Sequence, residues 1–460
     1  ENSAHHPINS TQNDQVFARN LATLSSGSPF KIIDAKISHI LLLGSDQIGT
    51  FYKYPTEVHK VQTKDGYILT MHRLAQKSEK PPVLLMHGLM DSSVTWLLAG
   101  PGKSLGFMLF DQGYDVWMGN FRGNFYSREH AYLPTSSQKF WDFSWDEMGR
   151  FDVPAFIDHI LQVTGRDQLL HIGHSMGTTT FYVMASTLPE YNEKVLAHIS
   201  YSPIGFWSHT NSAFWRSTVP IEKAFYVSEH SFWNRNQYCR AMKKKAYKPS
   251  GVEKFSLMKY EFSKKNTVFS VYLNHVGSGS SIKTVIHYTQ LVKSGRFREF
   301  DYYNVKKNKA HYGVSKPRDY NITNISAPVF FFYGANDVIA SPIDIYKLYR
   351  MLPNPIGIQK IEDPDFNHLD FTMGPTAANL VYKKTIKIMD KYSNSSQALL
   401  WRQNRVLRKT PENVEKLDSS TKLPSPTKSS PEAPKKAPLK MIRGLNSRRM
   451  RGRKFSFKLT

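Results

Sequence analysis

The sequence predicts an α/β domain: a mostly parallel central sheet, helices on both of its faces, and a mainly helical cap inserted late in the sheet. Three observations predict it. Short apolar runs alternate with helical stretches from about Pro82 to Ser200, the same rhythm returns near Ala327, and the stretch between them breaks it. At 460 residues the chain can bury a large core, and one domain with a long insertion fits as well as two domains do. A hydrophobic content of 40% with 13% aromatics is enough for a packed interior and excludes a chain disordered throughout.

The elements follow in order. Residues 1–30 are polar, rich in Asn, Ser and Thr, and without period; they read as a loose leader, bounded at 1–50. The first residue is Glu1 and not methionine, which reads as an upstream signal peptide already left out. Glu57 to Thr63 alternates polar and apolar, Asp65-Gly66 supplies a turn, and Tyr67 to Arg73 alternates again, so two antiparallel edge strands are expected. The runs Pro82–Met86, Tyr114–Met118, Leu169–Ile172, Ala197–Ser200 and Pro328–Phe332 are continuous and apolar, as buried parallel strands are. Phe151 to Val163 carries apolar residues at helical spacing, with Pro154 acceptable only near the first turn.

A first core part is thus bounded at 51–202 and a second at 321–396, with the cap at 203–320. Loop-closure entropy grows slowly with length, so an insertion between two strands of one sheet is tolerated. The insertion holds the aromatic pairs Phe206-Trp207, Phe214-Trp215 and Phe232-Trp233, and the run Lys243-Lys244-Lys245. The pairs fit either a lipid-facing lid or ordinary cap core. Residues 397–460 carry 17 Lys and Arg against 4 acids, over half of the +24 net charge, in Pro-Ser-Pro and Arg-Gly-Arg-Lys contexts. That tail is expected to be disordered; it suits an anionic surface, or is a solvated extension with no partner. The longest apolar runs, Ile40–Leu43 and Val329–Phe332, fall far short of the roughly 18 residues a membrane span needs. Cys239 is the lone cysteine, so no intramolecular disulfide forms. Asn9, Asn321, Asn324 and Asn394 head glycosylation sequons, which mildly favour the secretory pathway.

The chemistry sits in Gly173-His174-Ser175-Met176-Gly177, which matches Gly-x-Ser-x-Gly directly after one apolar run and before a helical stretch. A sharp strand-to-helix turn there strains Ser175 at its apex and exposes its hydroxyl as a nucleophile. Alone, the pentapeptide also fits a Gly-rich turn with an idle serine; its context decides. A base and an acid should follow in the order Asp, His, each on a loop after a later strand. Asp337 follows the Val329–Phe332 run at a strand's carboxyl end, and His368 lies in the loop after the alternating Ile356–Ile361. The oxyanion donors are expected to be the backbone N–H groups of Met176 and of Leu89, after His87-Gly88. His87 has no partner at metal-ligand spacing, and no cofactor or metal is implied.

With these residues in place, the sequence resembles the acid lipase family, which includes gastric and lysosomal lipases. The resemblance rests on Tyr54-Pro-Thr-Glu-Val-His-Lys-Val, His87-Gly-Leu with Asp91-Ser-Ser, Trp117-Met-Gly-Asn-Phe-Arg-Gly-Asn, Phe140-Trp-Asp-Phe-Ser-Trp-Asp-Glu-Met, the Ser175 pentapeptide and Phe366-Asn-His-Leu-Asp-Phe. It spans about Phe51 to Tyr392. It implies an α/β-hydrolase fold with a cap and lid, action on neutral lipid esters through an acyl-enzyme, and a secreted or lysosomal location. By motif it places the nucleophile at Ser175, the acid at Asp337, the base at His368 and the oxyanion donors at Leu89 and Met176. The chain departs from the family at Met176, where Gln is usual, at Phe121, where Ser is common, and in lacking a partner for Cys239. A steryl or short-chain esterase, or a non-catalytic lipid-binding protein on the same scaffold, stays open as the alternative.

Overall fold

The computed structural model describes residues 43–223, 226 and 277–394. The polar leader before Leu43, Asn9, Phe232-Trp233, the Lys243 run, Cys239 and the basic tail lie outside the described residues.

Helix α1 (Ser45–Phe51) precedes the hairpin of β1 (Thr56–Gln62) and β2 (Tyr67–Leu74), which pair antiparallel across the Asp65-Gly66 turn. Strands β3 (Val83–Met86), β4 (Val116–Gly119), β6 (Leu169–His174), β7 (Val195–Tyr201), β8 (Val329–Gly334) and β9 (Pro355–Ile361) then run parallel. The sheet order is β1-β2-β4-β3-β6-β7-β8-β9, with the two-residue β5 (Glu129–His130) joined to β2. The five apolar runs named from the sequence are β3, β4, β6, β7 and β8. The expectation of two edge strands needs correcting: β1 is an edge, but β2 also pairs antiparallel with β4 and lies inside the sheet. Its burial agrees, since six of its eight positions are buried whereas β1 is mostly exposed.

Each buried strand feeds two cores, because successive side chains point to opposite faces. Leu84 and Met86 of β3 join one cluster with Phe156, Ile160 and Phe181, while Val83 and Leu85 join another with Phe107, Leu109 and Met389. The first cluster is roofed by α3 (Val153–Thr164) and α4 (Met176–Thr187), the second by α2 (Leu105–Asp111) and the final helix (Lys383–Asn394). Pro154 falls in the first turn of α3, which continues directly from a π-helical turn (Met148–Asp152), an irregularity that accommodates its missing N–H. Hydrophobic burial on both faces explains why the strands are apolar throughout and not alternating.

Between β7 and β8 the described residues add no strand to the sheet and instead form α5 (Ala213–Thr218), α6 (Ile282–Ser294) and α7 (Val305–Tyr312). Trp207, Trp215 and Tyr288 pack as an aromatic group inside this segment, while Phe214 is 47% exposed. Phe206 is half-buried against the same core, so of the four rings in the two described pairs three serve as core and one faces out. Asn321 is exposed, and the Asn324 side-chain amide donates to the Ser186 carbonyl at 2.9 Å. Asn394 ends the last helix. No helix among the described residues is long and apolar enough to cross a membrane.

Candidate active site

The five residues predicted for the chemistry, Leu89, Ser175, Met176, Asp337 and His368, lie in the turns, loops or helix start that follow the carboxyl ends of parallel strands. β6 is buried along its whole length and ends at His174, so the next residue is delivered to the sheet's edge. There the chain reverses into α4, and Ser175 takes φ 53° and ψ −113°. A non-glycine residue held so costs on the order of 1–3 kcal/mol, and surrounding contacts must fix it. They do: the Ser175 N–H donates to the Tyr201 carbonyl at 3.0 Å, and its own carbonyl accepts from the Thr178 N–H at 2.9 Å. The flanking glycines are obligatory. A Cβ on Gly177 would stand 2.3 Å from the Met86 carbonyl oxygen, and one on Gly173 would stand 2.6 Å from the Gly177 carbonyl. Ser175 sits at the N-cap of α4 without capping it through its hydroxyl, which stays available.

Asp337 follows β8 in a tight loop and is buried. Its Oδ1 accepts from the backbone N–H groups of Ile339 and Ala340 at 2.8 and 2.9 Å, and its Oδ2 accepts from His368 Nδ1 at 2.9 Å. Burial pushes this carboxyl up, but the His368 imidazole beside it and the hydrogen bonds from His368, Ser202 and Ala340 outweigh burial, holding it below its ordinary value. With Nδ1 donating to the carboxylate, Nε2 is the nitrogen left as acceptor. The loop carrying His368 is tied to the serine turn: His174 Nε2 donates to the His368 carbonyl at 2.8 Å, across 194 residues of sequence. Burial, with His368 next to it, pushes the His174 imidazole down to about 3, so it stays neutral.

The loop after β3 closes the other side. A Cβ on Gly88 would lie 3.4 Å from the Ser175 Cβ, which places this loop, with Leu89 next along it, against the turn. Met176 is the first residue of α4, where a helix leaves its N–H without an intrahelical acceptor. His87, considered in the sequence as a metal ligand, uses both ring nitrogens on protein. Nδ1 donates to the Gly88 carbonyl at 2.8 Å, and Nε2 accepts from the Phe121 N–H and Asn124 Nδ2 at 3.2 Å each. Phe121 is buried with its ring edge-on to His87. No cluster of His, Cys, Asp and Glu suited to a metal occurs among the described residues.

The insertion reaches the same place. Met90, at φ 59°, offers its carbonyl to the N–H groups of both Gly277 and Ser278 at 3.0 Å, and Arg128 donates to the Ser278 carbonyl at 3.1 Å. The Tyr288 hydroxyl of α6 donates to Thr179 Oγ1 on α4 at 3.0 Å.

Two residues of this constellation were not anticipated from sequence, His174 and Ser202. Ser202 follows β7 and contacts both Asp337 and His368. The signal for it was weak but present, since it is the first residue beyond a buried parallel strand, where chemistry collects in such sheets.

The fold agrees with the comparisons. A family model described as a partial alpha/beta-hydrolase lipase region matches residues 46–100, and one described as the alpha/beta hydrolase fold matches residues 81–375. Lipase 1 of Drosophila melanogaster is 36% identical over 376 residues, 80% of this chain and 84% of the relative. The chain belongs to the acid lipase family of α/β-hydrolases. Lipase 3 of the same fly is 38% identical, covering 74% of this chain and 91% of the relative. Gastric triacylglycerol lipase of Bos taurus is 34% identical, with 75% and 90% covered. In this acid lipase family member, the strand-turn-helix at Ser175 carries Met176 on its helical side.

Proposed function

We propose that this acid lipase family member hydrolyses carboxylic esters of neutral lipids, acylglycerols foremost, with Ser175 as nucleophile, His368 as base and Asp337 as the acid that orients it. The observation that carries the reading is the buried Asp337 Oδ2 to His368 Nδ1 hydrogen bond of 2.9 Å, on a loop bonded to the residue next to the strained Ser175. The substrate class rests on its relatives' names, gastric triacylglycerol lipase among them. His368 Nε2 takes the Ser175 proton as Oγ bonds to the ester carbonyl carbon. The negative charge that develops on the carbonyl oxygen is met by the Leu89 and Met176 N–H groups. When the intermediate collapses, the C–O bond to the alcohol breaks and His368 returns the proton to the departing oxygen. Water, deprotonated by His368, then releases the fatty acid and regenerates Ser175. We assign 203–320 as a cap over this edge of the sheet, supported by the Met90 to Gly277 and Ser278 bonds and the Tyr288 to Thr179 bond.

The test is Ser175→Ala, assayed on triolein and on a soluble p-nitrophenyl ester. The loss expected is about 10⁴-fold or more in kcat. A loss of less than about tenfold in folded protein overturns the assignment. A lipid-binding protein without catalysis would show no rate to lose and no labelling of Ser175 by a fluorophosphonate.

A further inference from the structure

We propose that Ser202 is a positioning residue for the Asp337–His368 pair, a fourth member that fixes the carboxylate and the imidazole at once. This deepens the reading of His368 as base and rests on it.

The geometry is specific. Ser202 is fully buried immediately after β7, its N–H donating to the Phe332 carbonyl of β8 at 2.9 Å, so its backbone is pinned between the two strands that frame the site. Its Oγ donates to Asp337 Oδ2 and stands 2.7 Å from His368 Nδ1. Asp337 Oδ2 thus receives two donors, Ser202 Oγ–H and His368 Nδ1–H, while Oδ1 receives the Ile339 and Ala340 amides. A carboxylate offers about four acceptor directions, and here each has a donor. The group cannot rotate toward another partner without leaving a buried donor unpaired. The Ser202 oxygen has lone pairs toward His368 Nδ1–H, so the ring is held between the hydroxyl and the carboxylate and its Nε2 direction is set.

The backbone supplies a second, independent observation. Ser202 adopts φ 52°, a left-handed conformation that side-chain-bearing residues rarely take. Glycine would take it freely, so nothing about the turn itself favours serine. The hydroxyl is what this position gains over glycine, and both of its side-chain contacts are members of the proposed catalytic pair.

Ser202→Gly separates positioning from folding, because it deletes the hydroxyl and relieves the backbone. In the full-length protein we expect its thermal midpoint to be unchanged or raised, kcat on a p-nitrophenyl ester to fall about tenfold or more, and KM to stay within about twofold. In an Asp337→Asn background, where no carboxylate remains to be oriented, adding Ser202→Gly should cost less than about twofold. Ser202→Ala, which keeps the strain, serves as the second variant with the same expected split. A kcat within about twofold of native in both variants overturns the proposal, as does an equal loss in the native and Asp337→Asn backgrounds. Ser175→Ala distinguishes the two failures. If it stays active, the reading of the triad falls and this proposal with it. If it is inactive while Ser202→Gly is not slowed, only the role of Ser202 falls.

Discussion

Asp91 stands two residues beyond Leu89, in the loop that carries a proposed oxyanion donor, and is buried. Burial pushes its carboxyl up to about 7, against the hydrogen bond from the Ser92 N–H to its Oδ1 at 2.8 Å. The folded chain therefore binds a proton there that the unfolded chain has already released above the ordinary carboxylate range. The sign follows: stability is lost as pH rises from about 4 to 7 and stays lower above that. Asp91→Asn keeps the acceptor for Ser92 and cannot ionise. It should be more resistant to urea than the native protein at pH 8, the advantage shrinking toward pH 5; equal or lower resistance at pH 8 would refute this. At this scale the sequence was legible where the backbone makes the chemistry. The strained turn at Ser175 was legible because its flanking glycines are visible in the chain. His174 and Ser202 were not legible, because their roles depend on contacts to residues 194 and 135 to 166 positions away.

The elements were legible where burial is two-sided. β3, β4, β6, β7 and β8 are short, apolar and bounded by turns, and hydrophobic packing on both faces leaves no polar alternation to confuse with a helix. β2 was misplaced because alternation reports one wet face, not position in a sheet. Its neighbour β4 is 42 residues on, and no local pattern records that pairing. Helix α4 shows the reverse case, an element whose seat is set by single atoms. Gly177 lets it lie on Met86, and a methyl group there would meet backbone that cannot swing away. Gly177→Ala should destabilise the protein by about 1–3 kcal/mol or more through overpacking. It should also lower activity beyond the loss of folded protein, because the Met176 N–H moves with the helix. A urea midpoint unchanged from the native one would contradict the packing account.

Among the described residues, six buried histidines point one way. Burial pushes His72 and His87 down to about 4 and His171, His174 and His287 to about 3, and holds His198 well below its ordinary value. Each stays neutral in the folded state while its unfolded counterpart takes a proton near pH 6.5. Their contribution is therefore complete above about pH 6.5 and lost as pH falls toward 4. Asp91, Asp152 at about 6, and Asp146 and Glu299, whose carboxyls burial also raises, act in the opposite direction, but the six histidines outnumber them. The thermal midpoint should fall between pH 7 and pH 4.5, and a midpoint that holds or rises over that range would sink this reckoning. The fall should be steeper in Asp91→Asn, which starts from a higher midpoint at neutral pH and lacks the proton uptake that offsets the histidines.

The distance along the chain between the two halves of the site also matters in time. The serine turn is closed by β6, β7 and α4, all of which lie within the first 201 residues, yet its partners wait beyond the insertion, Asp337 after β8 and His368 after β9. A nascent chain that has emerged only as far as β7 carries Ser175 without the residues proposed as its base and acid. On the proposed assignment, the chain cannot act as a hydrolase until the last strand, β9, and the loop after it have been made. The bond from His174 to the His368 carbonyl is the point at which the earlier half of the chain acquires its chemistry from the later one.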